Sequence, residues 1–252
     1  MTESRNLKLT IKLEADLHVH TVASGHAYST VEEITKEAAG KGLKMIGITD
    51  HGPALPGGAH RYHFWNLRII PEELNGIRIL KGIEANIVNA NGELDLAEDY
   101  LAPLELVHAG FHPNCGYDSA SVTQNTDALI RAMDNPLLDF IVHPGNAKFP
   151  IDPETLVEAS VEKGIALEIN NSSFLPTSSR DFAYEYDSRI AELIRKKRSH
   201  VIISSDAHIY TQVGVFEQAI ELAAKAGIIE EQIVNASAQR VQDYLASRRA
   251  RR

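Results

Sequence analysis

The sequence contains two histidines, two residues apart, in a short apolar segment. Residues 16–20 read Asp-Leu-His-Val-His. On a β-strand, side chains alternate between faces, so Asp16, His18 and His20 are expected to point the same way. Two imidazoles on one strand face can bind one metal ion. A lone His-x-His is also common without metal, so further ligands must come from elsewhere in the chain.

Residues of metal-binding type follow most of the apolar segments. They are His18, His20 and His26 at the first segment, Asp50 and His51 after 43–49, Glu84 after 77–83, His112 after 106–110, His143 at 140–143, and Asp206 and His208 after 201–205. Each of these residues alone also fits a turn, a strand end or a helix cap. Their shared position after successive segments favours one common site.

The apolar segments alternate with amphipathic ones, which predicts β/α units around a parallel sheet. Strands are predicted at residues 12–18, 43–49, 77–83, 106–111, 140–143, 165–169 and 200–204. Helices are predicted from Ser29 or Thr30 to Gly42, from Asp152 to Gly164, and over 123–133, 187–197, 214–226 and 237–248. In a barrel of this kind the catalytic residues lie at the carboxyl ends of the strands. The candidate ligands should therefore meet at one end of the barrel.

Four histidines fit this pattern less well. His108 lies inside a predicted strand and His200 at the start of one, so both are predicted to be structural. His60 and His63 lie in the segment 60–68, which is predicted to be a loop rich in cations and aromatics.

Composition narrows the class of protein. The chain has 252 residues, a formal net charge of −9 and one cysteine, Cys115. The length suits one α/β barrel, and the acidic balance argues against nucleic acid or an anionic membrane as partner. The basic cluster at residues 248–252 is predicted to be a solvated helix end. No apolar run is long enough to span a membrane, and a lone cysteine fits a cytoplasmic protein.

Seven short motifs in this chain together resemble the PHP (polymerase and histidinol phosphatase) family, and in particular its YcdX-type phosphatase branch. They lie at residues 16–20, 49–52 (Thr-Asp-His-Gly), 82–86 (Gly-Ile-Glu-Ala-Asn), 110–112 (Gly-Phe-His), 143–146 (His-Pro-Gly-Asn), 168–173 (Glu-Ile-Asn-Asn-Ser-Ser) and 205–208 (Ser-Asp-Ala-His). The resemblance implies an α/β fold, a distorted seven-stranded (β/α)7 TIM-like barrel with a metal site at the C-terminal strand ends. Residues 1–252 would form a single metal-dependent phosphoesterase domain, with 1–12 as an N-terminal extension. That extension and the loop 112–115 depart from the branch, and the loop puts substrate details in doubt.

The resemblance also implies a ligand set for three divalent metal ions. His18 and His20 would bind the first ion with Glu84 and Asp206. Glu84 would bridge to a second ion held by His112 and His143, and a third would take His26, His51 and His208. A histidine-rich set favours Zn²⁺, with Mn²⁺ or Fe²⁺ as alternatives.

The implied reaction is hydrolysis of a small phosphate monoester by a metal-bridging hydroxide. Three divalent ions and two carboxylates leave a local charge of about +4, or about +3 with one hydroxide. This charge would attract phosphate although the whole chain is acidic. Asp206 or His208 is the candidate proton donor to the leaving group.

The substrate-binding residues are less well defined. Arg61, Arg68 and Asn170 are the candidates, and Asn171 and Lys148 are comparable. Each arginine could equally form a surface salt bridge. Asp16 and Asp50 could each orient an imidazole, or could serve as a turn or a cap.

Three other functions remain as alternatives. A metal-dependent amidohydrolase also begins with His-x-His after its first strand, but typically has a lysine at a middle strand end, and no such lysine is found here. A phosphodiester nuclease is disfavoured by the acidic balance, and a non-catalytic metal-binding module by the complete ligand set. The expected partner is a small phosphorylated molecule, and a homo-oligomer is left open.

Overall fold

The structure is a computed structural model that describes residues 11–180 and 182–251. Its described strands are β1 (Ala15–Val19), β2 (Met45–Ile48), β3 (Glu73–Leu74), β4 (Ile77–Asn86), β5 (Leu106–Gly110), β6 (Phe140–Ile141), β7 (Ala166–Asn170) and β8 (Val201–Ser204). Seven of them are parallel, in the order β1–β2–β4–β5–β6–β7–β8, and β3 pairs antiparallel with β4. A bridge from Val19 to Ala207 nearly closes the barrel. The predicted seven-stranded barrel is therefore confirmed.

Helices cover the outside of this barrel. The described α-helices are α1 (Val31–Gly40), α2 (Arg61–Asn66), α3 (Glu98–Leu101), α4 (Val122–Ala132), α5 (Pro153–Lys163), α6 (Ala183–Lys197), α7 (Glu217–Lys225) and α8 (Ala238–Arg249). Thr30 and Glu33 form the capping box that begins α1. Asp152 caps α5 and Gly164 ends it with φ of 62°, as predicted. No helix among the described residues has the length and apolar content that a membrane crossing requires.

Several elements differ from the prediction. The segment 60–68 was predicted as a loop, and this is wrong, because it forms α2 and a short 3₁₀ turn. The short strand β3 and the short helix α3 were not predicted, since each is too short to give a periodic pattern. β4 continues to Asn86, so Glu84 lies within the strand, whereas β6 ends at Ile141 before His143.

The first strand does not alternate regularly. The pairing of β1 with β2 shifts register between Asp16 and Val19. Leu17 belongs to the apolar cluster inside the barrel, while Asp16 bonds to the loop after β8. The expectation that Asp16 shares a face with His18 and His20 is therefore wrong, because the irregularity breaks the two-residue period.

The barrel interior has an apolar half and a polar half. Leu17, Met45, Leu106 and Phe140 are fully or almost fully buried at the amino ends of the strands. Helix α8 covers this end, and it contributes Leu245 to the same cluster. The predicted solvated helix end is wrong for Arg248, whose guanidinium is buried and donates to the carbonyls of Leu138 and Lys163, while Arg252 lies outside the described residues.

The predicted N-terminal extension lies mostly outside the described residues, which begin at Ile11. Ile11 and Leu13 are buried and join the main apolar core. This anchors the chain directly before β1.

Candidate metal centre

The carboxylate of Glu84 lies at the middle of a histidine cluster. We call the carboxyl ends of the parallel strands, with the loops that follow them, the rim. Glu84 is fully buried there. Its Oε1 atom lies 2.6 Å from His143 Nε2 and 3.0 Å from His112 Nε2. Its Oε2 atom lies 2.8 Å from His51 Nδ1, 3.2 Å from His18 Nε2 and 3.4 Å from His20 Nε2. One carboxylate thus faces ligand-type atoms from four different strands or strand ends.

Asp206 is the second carboxylate of the cluster. Its Oδ1 lies 3.2 Å from His20 Nε2, 3.6 Å from His18 Nε2 and 3.5 Å from His208 Nδ1. Asp206 has a φ of 53°, in the left-handed region that few residues other than glycine adopt. His143, which follows β6, has a φ of 34°. Such backbone strain concentrates at functional sites.

The remaining histidines complete the cluster. The His26 ring lies 5.0 Å from the His51 ring and 4.8 Å from the His208 ring, between centroids. Gly110 makes room for His143, because a Cβ there would lie 2.8 Å from Cε1 of that ring. All nine residues of the expected ligand set therefore meet at the rim.

Three compact groups within the cluster have the spacing of a metal site. They are His18, His20 and Asp206; His51, Glu84 and His112; and His20, His51 and His208, each with ligand atoms within 4.8 Å of one another. The first group agrees with the expected first ion. The other two place His51 between neighbouring groups, so the geometry alone does not allot it to one ion.

The unpartnered atoms of the site fit a set of cations. Among the residues that the structure describes, buried atoms with no hydrogen-bond partner include His18 Nε2, His20 Nε2, His51 Nδ1, Glu84 Oε2 and Asp206 Oδ1. A buried polar atom without a partner is costly, and it calls for an explanation such as an ion. These imidazole and carboxylate atoms point at one another, and they are the donor types that bind Zn²⁺, Mn²⁺ or Fe²⁺.

Neighbouring residues hold the histidine rings in place. Glu168 Oε1 lies 2.8 Å from His18 Nδ1, and its Oε2 accepts from the His143 backbone N–H at 2.8 Å. His20 Nδ1 lies 3.2 Å from Ser24 Oγ, which donates to Asp50. A carboxylate behind a ligating imidazole fixes its tautomer and its orientation. The sequence alone predicted no role for Glu168. A carboxylate within a wholly buried strand could have indicated a functional role, since such a strand is otherwise apolar.

Asp16 and Asp50 have different partners. Asp16 accepts from the backbone N–H of Ser205 at 3.1 Å and of Gly214 at 2.8 Å, so it holds the loop that carries Asp206 rather than an imidazole. Asp50 accepts from Ser24 and also lies 3.1 Å from His63 Nε2. Of the two, only Asp50 contacts a histidine ring.

The electrostatics of the cluster suit metal binding. Burial favours the neutral imidazole and lowers the pKa of His143 to about 4. Burial and the neighbouring His51 and His208 hold the pKa of His20 well below its ordinary value. Burial opposes ionisation of Glu84, but the surrounding imidazoles outweigh it and keep its pKa well below the usual range. Neutral imidazoles and an ionised carboxylate are the forms that bind metal. His18 is the exception, because Glu168, Glu84 and Asp206 outweigh its burial and raise its pKa well above the ordinary value.

Arg180 is a rim residue that sequence reasoning missed. Its Nη1 lies 3.0 Å from Asp206 Oδ2 and also contacts Asn170 Oδ1 and Ser173 Oγ. Its side chain keeps 16% of its surface exposed. It lies in the irregular segment between β7 and α6. Such a segment has no periodic sequence pattern from which the placement of a side chain could be predicted.

The predicted substrate residues have different surroundings. Asn170 lies at the rim, where its amide donates to Glu168 at 2.9 Å and Asp206 at 3.1 Å. Arg61 is exposed at the start of α2 and lines a cavity with Asp95. Arg68 lies over the Trp65 ring at 5.2 Å, in a cavity shared with residues at the amino end of β5, so the structure does not bring it to the cluster.

Among the described residues, the two further candidates make no contact with the cluster that would assign them to a substrate, and their surroundings differ from one another. Asn171 accepts from the backbone N–H groups of Gln218 and Ala219 at the start of α7, which is a capping role. Lys148 is exposed in the loop after His143.

The fold is shared with chains of two solved structures. A crystal structure of histidinol phosphate phosphatase from Lactococcus lactis subsp. lactis, complexed with Zn, L-histidinol and phosphate, matches with a TM-score of 0.59 at 16% identity, over 86% of this chain and 94% of that one. A chain in a structure of archaeal ribonuclease P with mature tRNA matches with a TM-score of 0.59 at 12% identity, over 93% and 91% of the two chains. At these identities the likeness shows the fold alone.

Sequence relatives agree over nearly the whole length. A protein named "Probable phosphatase" from Caldanaerobacter subterraneus subsp. tengcongensis is 46% identical over 244 residues, which is 97% of this chain and 95% of the relative. Another so named, from Syntrophotalea carbinolica, is 45% identical over 94% of this chain and 97% of its own length. The model of the PHP domain matches residues 16–250. With all nine expected ligand residues at the rim of a seven-stranded barrel, the chain belongs to the PHP domain family.

Proposed function

We propose that this protein hydrolyses small phosphate monoesters at a centre of three divalent metal ions. The observation that carries the proposal is the convergence of unpartnered, buried imidazole and carboxylate atoms at one rim. Family membership and the relatives named as probable phosphatases support phosphoester chemistry. Residues 1–252 are proposed to form one domain, and the family match over 16–250 supports this.

We allot the ligands as follows. The first ion takes His18, His20, Glu84 and Asp206; the second takes Glu84, His112 and His143; and the third takes His26, His51 and His208. Zn²⁺ is the favoured ion and Mn²⁺ or Fe²⁺ the alternatives. When bound, such ions supply Lewis-acid chemistry, which lowers the pKa of water and neutralises phosphoryl oxygens.

The protein groups then bind and orient the substrate. Arg180 stands at the rim with Nη1 on Asp206, and its guanidinium offers further N–H donors to a phosphoryl oxygen. Because Asn170 is engaged with Glu168 and Asp206, we assign it to positioning these carboxylates rather than to the substrate. Arg61 stays a candidate for a more distant part of the substrate.

The first experiment measures metal content and hydrolysis together. Apo protein is loaded with Zn²⁺, Mn²⁺ or Fe²⁺, and metal per chain and the rate on p-nitrophenyl phosphate are recorded. We expect two or more ions per chain, and a phosphatase activity that His18→Ala abolishes because it removes a ring facing both carboxylates.

His200→Ala is the matched control, since His200 is exposed at the amino end of β8 and should leave both measurements unchanged. Fewer than two ions per chain, or a phosphatase activity that survives in His18→Ala, would overturn the proposal.

A further inference from the structure

A cavity of about 320 Å³ lies at the rim, beside the histidine cluster. Every residue that lines it belongs to the connection after β2 or to the one after β4, at the carboxyl ends of these strands. The lining includes Pro53, His60 and Arg61 from the first connection and Asp95, Leu96 and Tyr100 from the second. This size, with apolar walls and a few polar groups, is typical of a site for a small molecule.

Backbone hydrogen bonds tie this cavity to two of the candidate ligands. Ala59 N, two residues before Arg61, donates to the His51 carbonyl at 3.1 Å. Gly52 N donates to the Glu84 carbonyl at 2.9 Å, which holds the connection after β2 against β4. The cavity therefore adjoins the part of the rim that His51 and Glu84 form.

Arg61 brings an unpaired positive charge to the cavity. It is exposed, and among the residues that the structure describes it has no ion-pair or hydrogen-bond partner. His60 adds a second donor, because its Nδ1 accepts from the Tyr62 backbone N–H at 3.2 Å and a neutral ring then carries its proton on Nε2. A guanidinium binds a carboxylate or a phosphate through two parallel hydrogen bonds. These two side chains therefore suit an anion.

The carboxylate in the lining is held by its surroundings. Asp95 Oδ1 accepts from Asn86 N at 2.9 Å, and its Oδ2 accepts from Ala54 N at 2.9 Å and from the Asn86 side-chain amide. Three N–H donors thus offset its charge, and these two described residues, Asp95 and Arg61, form no ion pair with each other. The charge of Arg61 therefore remains available to a ligand.

Resting on the proposed function, we propose that this cavity binds a second anionic group of the substrate through Arg61. That group is a carboxylate or a phosphate, and Leu96 and Tyr100 contact the carbon body that joins it to the ester. The histidine cluster takes the phosphate that is cleaved. The substrate class is then a phosphate monoester whose alcohol part carries its own negative charge.

The test uses three phosphate esters of one carbon chain that differ only at the far end. Hexyl phosphate ends in a methyl group, 6-phosphonooxyhexanoate in a carboxylate and 1,6-hexanediol bisphosphate in a second phosphate, and the butyl and octyl series vary the reach. Metal-loaded native protein should cleave an anionic ester with a kcat/KM about 10-fold or more above that of the methyl-ended ester, as one charge-assisted hydrogen bond predicts. The larger preference, for carboxylate or for phosphate, identifies the anion.

Two variants test whether the preference comes from this cavity. Arg61→Gln should abolish it by raising KM for the anionic ester at nearly unchanged kcat, because a contact with the distant group binds ground state and transition state alike. Arg61→Lys keeps the charge and should retain part of the preference. Ala97→Phe should also reduce it, since Ala97 lines the cavity at an exposed position and a larger side chain there fills the cavity without disturbing the core.

Controls separate this proposal from the proposed function. Arg68→Gln is the matched control, because Arg68 lies in the same segment but stacks on Trp65 in a different cavity, and it should keep the native preference. No preference at any chain length, or a preference that survives in Arg61→Gln or in Ala97→Phe, overturns the role of the cavity and leaves the phosphatase activity in place. If the metal-loaded native protein cleaves neither these esters nor p-nitrophenyl phosphate, the proposed function itself fails.

Discussion

The two ends of the barrel treat their buried polar groups in opposite ways. At the rim, buried nitrogens and oxygens such as His18 Nε2, Glu84 Oε2 and Asp206 Oδ1 have no hydrogen-bond partner within the described part of the chain. At the amino end, Tyr244 Oη accepts from Ala166 N at 2.8 Å and donates to the Asp139 carbonyl at 3.0 Å. The first arrangement is costly to the fold without a ligand, and the second stabilises the fold directly.

Asn235 shows the same contrast near the amino ends of β1 and β8. Its amide donates to the carbonyls of Ala15 and Ile203 and accepts from Ile203 N. These bonds connect the first and last strands where the barrel must close. The comparison therefore separates an end that holds the barrel together from an end whose groups suit a bound ligand, as in other barrels of this kind.

The largest expected effect comes from removing the charge of the central rim carboxylate. Glu84→Gln should lower kcat/KM on p-nitrophenyl phosphate by at least about 10³-fold, since it loses a charge that faces five imidazoles. Steady-state hydrolysis by metal-loaded protein measures this loss, and an activity close to that of the native protein would contradict the role of the rim carboxylate.

A smaller loss is expected from the rim arginine. Arg180→Ala should lower kcat/KM by about 10²-fold, because it removes a positive donor beside the reacting phosphate. Arg68→Ala is the matched control, since Arg68 packs on Trp65 away from the cluster and should leave kcat/KM unchanged. The assay is steady-state hydrolysis of p-nitrophenyl phosphate by metal-loaded protein. Equal losses in both variants would mean that position relative to the rim does not decide the role of an arginine.

The smallest effect is expected at the amino end of the barrel, where the free energy of unfolding should change and the activity should not. Tyr244→Phe leaves the Ala166 N–H without its partner and should lower the free energy of unfolding by about 1–3 kcal/mol. The value of kcat/KM should stay unchanged, since the rim is not altered. Urea unfolding and the same phosphatase assay measure both. Reduced activity with unaltered stability would remove the distinction between the two ends.

Much of the architecture could be predicted from local patterns. The seven parallel strands and the helices α1, α4, α5 and α8 follow from apolar periodicity and from caps such as Asp152. Helix α2 could not be predicted this way, because six residues carry too little periodic signal. The register shift in β1 could not be predicted either, since it depends on the pairing of β1 with β2.

The sequence by itself determined which residues could bind metal, because His, Asp and Glu recur where buried strands end, in an order typical of one family. Only the tertiary structure decided which groups orient them: Glu168 behind His18 and Arg180 on Asp206. These contacts join residues far apart in the chain through irregular loops and strained backbone at His143 and Asp206. Local patterns carry no information on such contacts, since they form only when the strands close into a barrel and bring their ends together.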